Sequence, residues 1–464
     1  MSRSAIERRS ELLEDDLQVK VAGVDIDGVL RGKIMSKKKF LSVLDDGFGF
    51  CSVVFGWDLH DRPYVEKTSI ASTETGYGDV LARVDLNSFR RIPWENNIAL
   101  FLVEFLEPDT RRPLSACPRG LLRSILGELQ QLGLEAMCGS EFEFFHFQET
   151  PRTLVEKEHQ KLAPMTPGMF GYSLLRPSLQ QDYYYALINE CRQFGIPLEA
   201  LHTETGPGVY EAALEYTGAL EAADRAQLFK TAVKQIGLRH GVIASFMAKP
   251  YVDQPGCSGH MHISLRDIAT GKSAFAGDEN ASAFGATSGM SEVMQWFVAG
   301  MLKGLPSVLA ILAPNVNSYK RLVANYWAPI AVSWGRENRT AAIRVITPPS
   351  CSRESTRLEM RVTGADINVH LALAACLGCG LYGVRHQIAL PPPVTGSAEA
   401  GDEHPRLARD LRDATAILTE PESIARQVLG SAFVDHYAAT RRHEWALWAD
   451  SVTDWELKRY LELA

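Results

Sequence analysis

"LEAMCGSEFEFFHF", Leu134–Phe147, decides how the rest of the chain is read. It fits a strand, whose period of two sends Glu141 and Glu143 to one face and Phe142 and Phe144 to the other. Aromatics on one side and acids on the other separate a core from a site. Two acids side by side in an interior repel, and they need a cation or protons between them. Taken alone, an E-x-E of this kind reads more readily as an edge strand that shows both acids to water.

Working outward, "PRGLLRSILGELQQLG" (118–133) predicts an amphipathic helix opened by Pro118 and closed by Gly133. The proline-bearing "EPDTRRPLSACPRG" (107–120) before it reads as a linker. Upstream, "LQVKVAGVDI" (17–26), "SVVFGWDL" (52–59) and "IALFLVEFLE" (98–107) alternate as strands of a small sheet. Downstream, "DYYYALINECRQFG" (182–195), "DRAQLFKTAVKQIGLRHG" (224–241), "VHLALAACLGCGLYG" (369–383) and "VTDWELKRYLELA" (452–464) predict helices. "GHMHISL" (259–265) and "TRLEMRV" (356–362) predict strands, and "PPPVTGSAEAGDE" (391–403) an exposed loop. The expected fold is α+β: a small N-terminal β domain, 17–110, then a large mixed domain, 114–464.

With 464 residues, the chain exceeds one simple core, which agrees with that division. The balance of 48 basic against 56 acidic residues argues against a general nucleic-acid binder, while leaving room for a local basic pocket. The most apolar run, 296–313, is interrupted by Lys303 and Pro306 and is expected to be a buried helix, not a membrane span. The charged N-terminal stretch lacks an apolar h-region, so no signal peptide is expected. Cys376 and Cys379 form a C-x-x-C inside an apolar run and are expected to be buried and not redox-active. A reducing, cytoplasmic setting is the corresponding expectation.

"HTETGPGVYE" (202–211) carries Glu204 and Glu211 on either side of a Gly-Pro-Gly turn that can bring both to one point. "GCSGHMHISL" (256–265) sends His260, His262 and Ser264 to one strand face, and "TRLEMRV" sends Arg357, Glu359 and Arg361 to one face. Each alone fits an ordinary polar hairpin, a packed histidine pair or a solvated charged strand. Together, Glu141, Glu143, Glu204, Glu211 and Glu359 with one neutral histidine suit hard divalent ions such as Mg²⁺ or Mn²⁺ better than zinc or copper. Such a set can hold two ions and clamp a transferring phosphoryl group. "VANYWAPIAVSWGRENRTAAIRV" (323–345) then finds a role: its arginines meet a nucleotide triphosphate and a carboxylate substrate, while Trp327 and Trp334 shape the approach.

Over nearly its whole length the chain resembles the glutamine synthetase superfamily. The likeness rests on "GSEFEFF", "ETGPGVYE", "SGHMHISL", "NSYKRL", "NRTAAIRV" and "RLEMRVTGADIN", in order along the chain. It implies an N-terminal β-grasp domain and a catalytic domain with a curved antiparallel sheet flanked by helices. It implies a homo-oligomer, a dodecamer of two stacked hexameric rings with active sites between neighbours, and small-molecule substrates with no nucleic acid or membrane partner. ATP phosphorylates the γ-carboxylate of glutamate, and a nitrogen nucleophile then displaces phosphate. Carried over by motif, Glu143, Glu204 and Glu211 hold one Mg²⁺ or Mn²⁺, and Glu141, His260 and Glu359 the other. Arg321 and Arg361 bind glutamate carboxylates, Arg339 and Arg344 neutralise phosphate oxygens, and His262 and Ser264 lie by the nucleotide.

The sequence departs from the family at its flap. A Y-E-A-P motif supplies a glutamate for ammonium in true glutamine synthetases; here the place reads Tyr326-Trp327-Ala328-Pro329. Trp327 cannot accept a proton, but it offers an apolar wall or a π-face to an organic ammonium. The alternative is that Trp327 packs into a core beneath the flap. The D-G-S aspartate of the neighbouring subunit has no clean match, and Asp58 is the nearest candidate by position. Val209 stands where many relatives have glutamine, and 391–403 has no tyrosine to carry adenylylation. These departures resemble the γ-glutamyl-polyamine, ethanolamine and alkylamine ligases, and also the lengsin-like and FluG-like proteins. The implied function is an ATP-dependent glutamate–amine ligase. The alternatives are glutamine synthetase itself and an inactive structural homologue.

Overall fold

The computed structural model describes residues 12–277, 285, 287–398 and 404–464. The expectation about residues 1–11 and the end of the 391–403 loop lie outside them.

The N-terminal sheet contains β1 (Gln18–Val24), β2 (Leu30–Ser36), β3 (Phe48–Cys51), β4 (Asp79–Ile92) and β5 (Ile98–Leu106), in the order β2-β1-β5-β4-β3. β1 and β5 are parallel, and the other pairs antiparallel. The short helix Lys37–Ser42, capped by Ser36, drops Phe40 onto Phe101 with ring centroids 4.8 Å apart. One expected strand is absent. Ser52–Phe55 forms a 3₁₀ turn, because consecutive Val54 and Phe55 both enter the core, which a period-two strand forbids.

The larger sheet contains β6 (Leu134–Phe147), β7 (Leu198–Thr203), β8 (Val209–Gly218), β9 (Ile243–Ser245), β10 (Gly259–Asp267), β11 (Trp334–Arg336), β12 (Ile343–Ile346) and β13 (Arg357–Met360). Its order is β11-β12-β13-β10-β6-β8-β7, with β9 paired to β6. The sheet is antiparallel, as expected, except for β11 and β12 at its edge, which run parallel. The segment between them loops back so that Ile343 N–H donates to Ser333 O and Glu337 N–H to Val345 O, each at 3.0 Å.

Phe142 and Phe144 pack, fully buried, on Phe229 of the helix Ala219–Arg239 and on Phe246. This aromatic layer anchors one face of β6, and the acids take the other. The helix Glu292–Leu312 is long and apolar enough to span a membrane by composition, but 78% of its most apolar window is buried inside the protein. Its interior Pro306 does not break it, and the segment is the expected buried helix. It crosses the helix Val369–His386, where Cys376 and Cys379 are buried and burial pushes the Cys379 thiol up to about 12.

The crossing is close because it is lined by glycine. A Cβ on Gly300 would lie 2.3 Å from Cys379 O and 2.5 Å from Gly383 N. Backbone cannot yield as a flexible side-chain tip can, so Gly300→Ala should cost about 1–3 kcal/mol through overpacking. The check is the shift in guanidinium midpoint; an unchanged midpoint would mean that the helices separate freely.

The N-terminal sheet region meets the helices of the larger domain through specific polar contacts. Arg90 of β4 pairs with Glu221 at 2.7 Å, Trp94 Nε1 donates to Gln235 at 2.9 Å, and Asn368 Nδ2 donates to Asp25 O at 3.0 Å.

Candidate active site

Strand register assembles the polar cluster. Glu143 of β6 stands opposite Glu211 of β8, which stands opposite His202 of β7. Glu141 stands opposite His260 of β10, and His262 opposite Glu359 of β13, itself opposite Arg344 of β12. Directly paired residues hold their Cβ atoms about 4.5–5.5 Å apart, so one band of the sheet carries all these side chains. Glu204 joins from the turn between β7 and β8, where its N–H donates to Val209 O at 2.9 Å.

Two groups have ligand spacing. His202, Glu204 and Glu211 each offer an atom within 4.8 Å of the others, as do Glu141, His262 and Glu359. His202 Nε2 lies 3.3 Å from Glu211, and His262 Nε2 3.2 Å from Glu141. His260 Nδ1 lies 3.3 Å from Glu359, while its buried Nε2 has no hydrogen-bond partner among the described residues. An orphaned imidazole nitrogen beside a carboxylate is what a metal ligand presents. Burial, together with the positive Arg361 and Arg321, holds His260 well below the ordinary histidine value, so it stays neutral and able to donate a lone pair. Burial and the negative Glu211 and Glu204 push Glu143 up to about 7. The hydrogen bond to Glu211 pushes His202 up to about 9. A crowd of acids that holds protons in this way fits divalent cations, which would replace those protons with charge.

Glu141, Glu143, Glu204, Glu211, His260, Arg321, Arg339, Arg361 and Trp327 all line one cavity of about 400 Å³. Its arginines differ in kind. Arg321 and Arg361 are each 4% exposed. Arg321 donates to Val362 O at 2.8 Å and to Arg361 O at 3.0 Å, and Arg361 donates to Arg339 O at 3.0 Å and pairs with Glu359. Arg339 is exposed, and its guanidinium makes no hydrogen bond or ion pair among the described residues. A second cavity, about 290 Å³, shares Glu141 as a wall and is lined by His262, Ser264, Arg357 and Tyr216.

Three placements need separate mention. Trp327 is 68% exposed at the first cavity, so it is not buried beneath the flap. Trp334, expected to shape the approach, is instead core: it is 1% exposed and donates to Pro391 O at 2.8 Å. Arg344 lines neither cavity, and pairs with Glu337 at 2.6 Å and Glu359 at 3.0 Å. Asp58 also lines neither cavity of its own chain. It is buried, accepts from the amides of His60 and Arg62, and lies 3.2 Å from His443.

Sequence reasoning missed His202 and Tyr172. His202 had a signal, since it stands two residues before Glu204 in the same acid-bearing motif. Tyr172 had none: it reaches the cavity from a distant loop and stacks on His202 with centroids 4.5 Å apart.

Comparison with known proteins agrees with this geometry. The model for "Glutamine synthetase, catalytic domain" matches residues 115–460. A Type-1 glutamine synthetase 2 of Dictyostelium discoideum is 45% identical, covering 96% of this chain and 84% of its own. A glutamate–isopropylamine ligase of a Pseudomonas species is 36% identical over 96% and 95%. A gamma-glutamylethanolamide synthetase of Streptomyces coelicolor is 35% identical over 96% and 92%. Among solved structures, a GmaS/ADP complex superposes with a TM-score of 0.82 at 25% identity, covering 98% of this chain and 99% of its own. Carrying the acid band, the arginine-lined cavity and the matching catalytic domain, the chain belongs to the glutamine synthetase family of ATP-dependent carbon–nitrogen ligases.

Proposed function

We propose that the chain joins the γ-carboxylate of glutamate to an organic primary amine, a polyamine, ethanolamine or small alkylamine, through a γ-glutamyl phosphate. The observation that carries this reading is Trp327, exposed in the acid-lined cavity where true glutamine synthetases place a flap glutamate. The two amine-ligase relatives support it.

In this reading Mg²⁺ or Mn²⁺, two or more per site, would be held by Glu143, Glu204 and Glu211 and by Glu141, His260 and Glu359. Bound there, the ions would neutralise phosphate charge. Arg321 and Arg361 bind glutamate carboxylates and Arg339 faces phosphate, while Arg344, paired with Glu337 and Glu359, holds the Glu359 carboxylate in place, with His262 and Ser264 beside the nucleotide. The amine nitrogen attacks the acyl carbon, phosphate leaves, and the nitrogen loses its proton. The nearest candidate for that base is Asp58 of a neighbouring subunit in a dodecameric ring assembly. The complete acid set favours an enzyme over an inactive homologue, because unused clustered acids cost stability without cations. Ammonium as the nucleophile is the second reading, favoured by the 45% identical relative.

Ammonium needs fixed carboxylates to replace its water, whereas an alkylamine brings apolar surface worth roughly 0.8 kcal/mol per CH₂ on burial. Two or three methylenes against Trp327 therefore shift preference by about one to two orders of magnitude. Wild type should show a higher kcat/KM for its best amine than for ammonium, and Trp327→Glu should lower that ratio. A wild type that prefers ammonium would overturn the proposal.

A further inference from the structure

The flap that carries Trp327 has an anchor. Asn325 and Trp327 both adopt left-handed backbone, with φ of +68° and +58°. Such conformations in non-glycine residues persist only where surrounding contacts hold them. The residue between them, Tyr326, supplies the contact: Lys249 Nζ lies 4.0 Å from the centre of its ring.

Lys249 is itself firmly placed. It is 7% exposed, and its Nζ also donates to Gln254 O. Its N–H donates to Asn317 Oδ1 at 2.8 Å, and Asn317 Nδ2 donates back to Lys249 O at 3.0 Å. One lysine thus joins three pieces of the cavity wall. Gln254 precedes Pro255 and Gly256, which line the cavity. Asn317 precedes the turn Ser318–Arg321, which delivers Arg321. Tyr326 opens the Tyr-Trp-Ala-Pro flap.

We propose that Lys249 and Tyr326 form a positioning pair that latches the flap and fixes Trp327 at the cavity mouth. Its consequence for substrate choice rests on the amine-ligase reading given above. Neither residue need touch the reacting atoms: a buried ammonium clamps the Tyr326 ring through cation–π attraction, and the strained backbone on either side turns Trp327 inward. Lys249→Met removes the cation, Tyr326→Leu removes the π-face, and Tyr326→Phe keeps it.

The test pairs two readouts on the full-length protein. The first is amide hydrogen exchange across 322–333. A cation–π contact of the usual strength corresponds to about 2- to 30-fold faster flap exchange in Lys249→Met and Tyr326→Leu, with Tyr326→Phe near wild type. The second is the kcat/KM ratio for amine over ammonium, which should fall in the two disrupting variants and recover in Tyr326→Phe. Should Lys249→Met not fold, Tyr326→Leu and Tyr326→Phe still decide the outcome. Unchanged flap exchange overturns the latch. Faster exchange with a ratio that stays put, while Trp327→Glu moves it, overturns the positioning role. A ratio that Trp327→Glu itself leaves unmoved counts against the amine reading, and the latch is then judged by exchange alone.

Discussion

Arg339→Ala is expected to lower kcat by about 10²–10³-fold, the usual cost of removing one preorganised donor from developing negative charge. The expectation comes from how differently the cavity arginines are committed. Arg321 and Arg361 commit part of their guanidinium donors to backbone carbonyls and to Glu359. Arg339 is exposed, lines the cavity, and its guanidinium has no hydrogen bond or ion pair among the described residues. A guanidinium held beside an acid cluster without a partner is free to meet phosphate oxygens. Its truncation orphans no buried group, so the thermal midpoint should stay near wild type. Arg361→Ala makes the contrast, because it uncovers the 1%-exposed side chain of Glu359 and should destabilise the fold itself. Steady-state kinetics with glutamate and ATP varied separately decide the matter. A rise in KM at constant kcat would mean that Arg339 binds substrate and transition state equally.

What the sequence disclosed follows from the range of the forces involved. Period two in β6 depends on neighbouring residues alone, so the split of Glu141 and Glu143 from Phe142 and Phe144 is legible before any fold is known. So is the closure of the helix Pro118–Gln131 by Gly133, whose φ of +73° suits glycine. Burial partners are not local. Trp327 and Trp334 lie seven positions apart in one polar stretch, yet one stands at a cavity and the other in the core. The difference is set by where Pro391 returns to accept the Trp334 N–H. Tyr172 reaches the site from its loop through stacking on His202, a contact that no spacing encodes. Ser52–Phe55 alternates well enough for a strand, but the pocket beside Phe105 takes Phe55 edge-on at 5.2 Å and closes a turn instead.

A mutation far from the cavity should cost the most stability. Asp224 is buried on the helix Ala219–Arg239, and its carboxylate bonds to side chains of two neighbouring helices. Arg119 Nε donates to it at 2.8 Å and Arg119 Nη2 at 2.7 Å, a two-pronged pair, while His370 Nε2 lies 2.8 Å away. Arg119 stands near the start of the helix Pro118–Gln131, and His370 lies in the helix Val369–His386. Through Asp85 at 2.7 Å, Arg119 also reaches β4 of the N-terminal sheet. The Arg119 and Asp224 side chains are 3% and 2% exposed, so neither can turn to water when the other is lost. Asp224→Asn keeps the volume but removes the charge, leaving a buried guanidinium with Asp85 as its nearest acid. The expected loss is about 3–5 kcal/mol, as for other broken buried pairs. The sign with pH is fixed. Burial works to raise the Asp224 carboxyl, but Arg119 and His370 outweigh it and hold the group well below the usual carboxylate range. The unfolded chain takes up that proton first, at about pH 4. The advantage of wild type over Asp224→Asn is therefore level at neutral pH and shrinks as pH falls below that value. Guanidinium unfolding of both proteins at several pH values measures the difference. A gap under about 1 kcal/mol at neutral pH would place the pair among surface-like bridges. It would also shift the burden of holding the N-terminal sheet against the helices of the larger domain to Arg90 with Glu221 and to the Asn368 contact with the Asp25 backbone.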